Sequence, residues 1–131
     1  MQSTTSLVLA AAAFLSACGL LAPQPTLDII DASAAGLAVA PIGDVTGLID
    51  ESTARAAALA DYNPPDPDVR LDLFLRRVTV SSAHIRDVPA WIARYSGLNS
   101  TTPGGHIFHI RYDLFDARTG RYLVGLIGGR E

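Results

Sequence analysis

The sequence holds no lysine, one cysteine, one tryptophan and only two glutamates. A lone cysteine excludes an intramolecular disulfide. Without lysine, the run Thr102-Pro103-Gly104-Gly105 has no phosphate-loop character, and no helix is expected to follow it. The ten basic residues are all arginine and are scattered through a chain of net charge −3. That leaves no basic stripe, and nucleic acid is not expected as a partner. The abundance of alanine and arginine reads as GC-rich coding rather than function.

What remains is enough for one folded unit. At 131 residues, 49% hydrophobic and 18% charged, the composition is that of a globular domain rather than a disordered chain. A domain of this size buries around two-thirds of its unfolded-chain surface, so neither metal nor disulfide is needed to hold it.

The amino terminus carries the strongest pattern. Leu7-Val8-Leu9-Ala10-Ala11-Ala12-Ala13-Phe14-Leu15 is an uncharged apolar run of signal-peptide length. Leu15-Ser16-Ala17-Cys18 follows at its end. A transmembrane helix is the rival reading, but Leu7 to Ala22 would span only about 24 Å against a hydrocarbon core of about 30 Å. Pro23 and Pro25 then break it.

The tetrad Leu15-Ser16-Ala17-Cys18 resembles the lipobox of bacterial lipoprotein precursors, in which small residues precede a cysteine whose sulfur takes a diacylglycerol. The resemblance implies cleavage between Ala17 and Cys18, lipidation of Cys18, and attachment to the membrane through N-terminal acyl chains. Two or three such chains hold a protein essentially permanently. Gly19 rather than Asp after the cysteine resembles the pattern sorted to the outer membrane. One departure is that Met1–Ser6 carries no Lys or Arg, where a signal peptide begins with positive charge. The expected organisation is a signal peptide over 1–17, a lipidated tether over 18–36 and a small periplasmic α/β domain over 37–131.

Within that domain, Leu37–Ile42 reads as a buried strand ended by Pro41 and Gly43. A helix is expected over about Val45–Tyr62, capped by Asp44 or Asp50, with Leu48, Ser52, Ala56 and Leu59 on its apolar face. Asn63–Asp68 is a proline-stiffened connection. Val69, Leu71, Leu73 and Leu75 alternate with polar residues as a half-buried strand does. The phase slips at Arg76-Arg77, where a β-bulge would keep Val78 and Val80 on the same side. Asp87–Tyr95 is compatible with a short helix, stopped by Gly97. Leu98–Gly105 reads as a loop. Ile107–Phe115 reads as a strand with Phe108, Ile110, Tyr112 and Leu114 on one face. Asp116–Gly120 is a hairpin turn with Gly120 left-handed, and Tyr122–Ile127 the returning strand.

The expected fold is α+β: a two-layer α/β sandwich with an antiparallel or mixed sheet of about four strands, one main helix and one short helix. Its Asp-x-x-Thr-Gly turn is similar to one in small periplasmic accessory lipoproteins of unknown function and, more distantly, in auxiliary lipoproteins of lipid-transport systems.

No side-chain constellation in the domain stands out as catalytic. His106 and His109 fall on opposite faces of a strand, and His84 lies apart, so no metal site is expected. Asp61, Asn63, Asp66 and Asp68 lack the glycine turn and distal Glu of a calcium loop. Ser81-Ser82-Ala83-His84 has a nucleophile and a base type, but local proximity does not build a triad. Trp91 and Tyr95, with Ile92 and Arg94, form a candidate partner surface, because aromatics and arginine are enriched at interfaces; the favoured reading is that they cap the core of the sheet.

These residues lead to a non-enzymatic expectation without cofactor: an outer-membrane-anchored periplasmic lipoprotein with an accessory or binding role toward an envelope protein partner. The loop Arg86–Gly105 or an exposed strand edge would face that partner. The alternatives are a lipid- or small-ligand-binding auxiliary subunit of an envelope transport system and, further off, a small hydrolase.

Overall fold

The computed structural model describes residues 25–130. Among these residues it is an α+β fold with one five-stranded antiparallel sheet in the order β1-β2-β3-β4-β5 and two α-helices. The strands are β1 (Ala38–Ala40), β2 (Arg70–Val80), β3 (Ile85–Thr101), β4 (Ile107–Asp116) and β5 (Tyr122–Arg130). The helices are α1 (Ile29–Ala34) and α2 (Glu51–Asp61).

The sheet has five strands rather than about four because residues 85–101 form β3 instead of a helix and loop. The reason lies in the residues. Ala90 and Ile92 are fully buried against one face of the sheet, while Trp91, Ala93 and Tyr95 are buried against the other. A strand apolar on both faces loses its alternation, and four-residue spacings such as Trp91–Tyr95 then imitate a helical turn. Pro89 is tolerated near the start of β3. Its carbonyl accepts from Ala117 N–H at 3.0 Å, so its missing N–H points to the side where the β4 ladder has ended.

Two-faced burial also resolves the phase slip in β2. The register with β3 runs unbroken from Arg70↔Ser96 to Val78↔Val88, so no bulge occurs at Arg76-Arg77. Leu71, Leu73 and Leu75 pack in one core, and Phe74, Val78 and Val80 in the other. The irregularities fall elsewhere, between Val78 and Val80, between Ser96 and Ser100 and between Leu114 and Phe115. At the second, Gly97 adopts φ +82°, and an added Cβ would stand 3.1 Å from the Asp68 carbonyl oxygen. In β4, Ile110, Tyr112 and Leu114 share the α1 core, whereas Phe108 packs in the α2 core.

A helix covers each face, which makes three layers rather than two. Asp50 caps α2 by accepting from Thr53 N–H at 2.8 Å; Asp44 instead closes a separate turn onto Thr46 N–H. The helix is shorter than expected, and it buries Ala54 and Ala58 while Leu59 is 39% exposed. Those alanines, four apart, give a narrow face that lets the helix lie close on Trp91, Tyr95 and Phe115. The short helix is α1, with Asp28 accepting from the N–H groups of Ile30 and Asp31. It lies in the segment read as tether. Leu27, Ala32 and Leu37 are buried with Phe74, Ile92, Tyr112 and Leu114, so the folded unit includes residues from Leu27 onward. The β1 strand is a three-residue edge rather than a buried strand.

The last hairpin is formed as its residues require. Asp116 Oδ1 accepts from Arg118 and Thr119 N–H at 2.7 and 3.2 Å, and Gly120 takes φ +76°.

Candidate functional site

Cys18 and Ala17, the lipidation and cleavage residues, lie outside the described residues. The other candidates can be placed.

Trp91, Ile92, Arg94 and Tyr95 sit mid-sheet on β3, and they do not form a partner surface. Ile92 and Tyr95 are fully buried and Trp91 is 8% exposed. The Trp91 indole N–H donates to the Ile49 carbonyl at 3.0 Å, which ties down the segment leading into α2. The Tyr95 hydroxyl meets the Ala58 and Tyr62 carbonyls at 3.0 and 2.8 Å, at the carboxyl end of that helix. These aromatics fill the core, because a strand covered on both faces has nowhere else to put them.

Arg94 belongs to a polar cluster under α1 that sequence spacing does not reveal. Its guanidinium pairs with Asp72 at 3.0 Å, donates to the Thr26 carbonyl at 2.8 Å and lies over the Phe74 ring at 4.8 Å. Arg70 supplies a second cation to Asp72 at 3.1 Å. Beside them the Tyr112 hydroxyl donates to Asp31 of α1. Burial and the Asp31 carboxylate both raise the Tyr112 phenol pKa. Gly128 makes the room, since a Cβ there would stand 2.5 Å from Asp31 Oδ2.

A second cluster lies on the α2 face. Asp113 is fully buried and accepts from Arg111 at 2.8 Å, and Arg111 also reaches Asp61 at 3.8 Å and stacks on the Tyr62 ring at 4.4 Å. Asp113 Oδ2 has no hydrogen-bond partner among the described residues. Burial raises the Asp113 pKa, with Arg111 opposing. The register shows why such pairs escape a linear reading: Asp72 faces Arg94 across the β2–β3 ladder, and Arg111 precedes Asp113 by two on one face of β4. In both clusters a buried carboxylate is paired with arginine, although Asp113 Oδ2 and Arg94 Nε keep no hydrogen-bond partner among the described residues.

The remaining sequence candidates are dispersed. His109 Nδ1 contacts the Leu98 carbonyl at 2.8 Å, while His106 is exposed in the turn before β4. Among the described residues no group of three His, Cys, Asp or Glu is placed to hold a metal ion. Asp66 turns onto Asp68 N–H at 2.9 Å in the proline connection, which lines an open cleft of about 200 Å³. Ser81 and His84 meet only through the His84 N–H and the Ser81 carbonyl, at 3.2 Å. Their side chains share no hydrogen bond, the contact that a nucleophile and its base would make. They do share an open cleft of about 340 Å³ with Thr79, Ile85 and Arg86.

No family model, curated protein or solved structure matches this chain.

Proposed function

We propose that this chain is a lipoprotein of the bacterial envelope, cut before Cys18, acylated there, and carrying its folded domain on the periplasmic side of a membrane. Its role is non-catalytic, accessory or binding, toward an envelope protein. The observation that carries the reading is the Leu15-Ser16-Ala17-Cys18 tetrad, which closes an uncharged apolar run a short way before Leu27, the first core residue among those described. Gly19 after the cysteine favours the outer membrane. In this reading the acyl chains on Cys18 are the attachment; among the described residues no helix is long and apolar enough to cross a membrane.

The surface offered to the partner is the edge of β5, hydrogen-bonded to β4 on one side only. From Tyr122 to Gly128 it has neither charge nor proline, while the opposite edge is three residues long and runs into Pro41. A long edge without such protection is a template for another strand.

Intact mass and N-terminal peptide mapping from a membrane fraction test the anchor, with Cys18→Ser alongside. A peptide beginning at Cys18 with two or three acyl chains, absent from the variant, is the expected result. An unmodified chain that retains Met1 overturns the reading.

A further inference from the structure

The connection from β2 to β3 holds side chains that neither the core nor the anchor uses. The cleft of about 340 Å³ there is lined by Thr79, Ser81, His84, Ile85 and Arg86. Two residues at this turn adopt left-handed backbone without being glycine, His84 at φ 56° and Asp87 at φ 52°. That region is disfavoured for any residue with a Cβ, and it persists where surrounding contacts enforce it. Here the contacts are visible. Arg77 grips the Asp87 carboxylate at 2.8 and 2.9 Å, and Asp87 N–H donates to Thr79 Oγ1 at 3.0 Å.

The outcome is a one-sided polarity. Asp87, the nearest carboxylate in sequence, is occupied by Arg77 and is not among the lining residues. Thr79 accepts from Asp87 N–H, which leaves its own hydroxyl proton to give. Ser81 brings a second hydroxyl. No described residue forms an ion pair or side-chain hydrogen bond with Arg86 or with the His84 ring. So the lining combines a guanidinium without an ion-pair partner among the described residues, an imidazole and two hydroxyls with no acid, in a chain of net charge −3.

We propose that this cleft binds a phosphate group, seated between the Arg86 guanidinium and the His84 ring, with the Ser81 and Thr79 hydroxyls donating to its oxygens. The planar fork of arginine matches phosphate oxygens in a two-point contact. Ile85 gives the ester substituent of a bound phosphate an apolar wall. Free phosphate and a phospholipid headgroup present the same chemistry to these groups. The proposal does not depend on the lipid anchor.

The test uses the full-length chain, labelled with 15N, in a phosphate-free maltoside detergent. It is titrated with inorganic phosphate, with short-chain phosphatidylglycerol, and with diacylglycerol of the same chain length, which lacks the phosphate. Saturable amide shifts at Ser81, His84 and Arg86 are expected with a phosphate probe and not with diacylglycerol or sodium chloride. Saturation by inorganic phosphate assigns the site to free phosphate; saturation by phosphatidylglycerol alone assigns it to the headgroup. Because Arg86 is exposed and pairs with no other described residue, Arg86→Gln should keep the remaining spectrum and weaken binding about tenfold or more. Absence of a saturable shift with both phosphate probes overturns the proposal. So does an unchanged affinity in both Arg86→Gln and His84→Asn.

Discussion

Replacing Tyr95 with phenylalanine deletes one oxygen from the centre of the α2 core. The hydroxyl is fully buried and lies 3.0 Å from the Ala58 carbonyl and 2.8 Å from that of Tyr62. Carbonyls at a helix carboxyl end have no intrahelical donor. The Tyr62 N–H already serves Ala58 at 2.8 Å, so the Tyr62 carbonyl is the one left bare. A lost buried hydrogen bond costs about 1 kcal/mol, and the stranded carbonyl adds roughly another. The ring survives, with its edge contact to Tyr62 at 4.9 Å, so the 3–5 kcal/mol of an aromatic-to-alanine change (an order-of-magnitude figure) does not apply. Tyr95→Phe should therefore lose about 2 kcal/mol and roughly 8–16 °C in Tm. Urea unfolding followed by circular dichroism is the assay, with the midpoint lowered and the slope unchanged. Tyr62→Phe is the control, because no hydrogen bond is formed by its hydroxyl among the described residues; it should stay within about 0.5 kcal/mol of wild type. Burial first, and the Asp113 charge second, push the Tyr95 phenol up to about 12. The folded state thus holds that proton more tightly than the unfolded chain, where a phenol titrates near about 10. This contribution is intact below pH about 10 and is lost as pH rises through the folded value. The gap between wild type and variant should narrow across that alkaline window. A Tyr95→Phe protein within about 0.5 kcal/mol of wild type refutes the reasoning.

Gly128→Ala would place a Cβ 2.5 Å from Asp31 Oδ2 and 3.0 Å from the Tyr112 ring, and should cost about 1–3 kcal/mol by overpacking. Combined with Asp31→Ala it should cost less than the two changes summed, and additive values in chemical denaturation would show that the glycine is not there to admit the carboxylate. Asp113→Asn removes a buried acid whose pKa burial raises, despite Arg111. A raised folded pKa means stability present below the unfolded carboxylate range and lost as pH climbs through the folded value. The asparagine variant should therefore gain on wild type as pH rises from the acid side, and a pH-independent difference in unfolding free energy would contradict the burial argument.

The parts of the fold that were legible in the sequence are those set by local chemistry. Asp50 before a run of alanines caps a helix because a carboxylate accepts the free N–H groups of a first turn. Asp116 and Gly120 make a hairpin because an aspartate bridges onto following N–H groups while glycine tolerates positive φ. The alternation of β2 shows as long as one side is polar, and it blurs from Phe74 onward, where Phe74, Val78 and Val80 enter a core of their own. The segment before Leu37 escaped for the opposite reason. Leu27 and Ala32 are too few to show a period, and they become core only because the sheet offers Phe74, Ile92 and Tyr112 to cover.

Coverage of both faces also explains the misplaced partner surface. A central strand flanked by two ladders and two helices has no solvent side, so Trp91 and Tyr95 become core and their polar atoms turn to backbone carbonyls. Polar residues on the same strands must then find partners inside the sheet, and the register supplies them: Arg94 meets Asp72 across the ladder, and Arg111 meets Asp113 along β4. Charge that a linear reading would assign to solvent or to a ligand is spent on these pairs. What stays chemically free lies at the sheet's margins, where strands turn and the ladders end. That is where, among the described residues, Arg86 and His84 stand without partners and β5 keeps one side of its backbone open, so both binding proposals fall at the rim of this fold rather than at its aromatic centre.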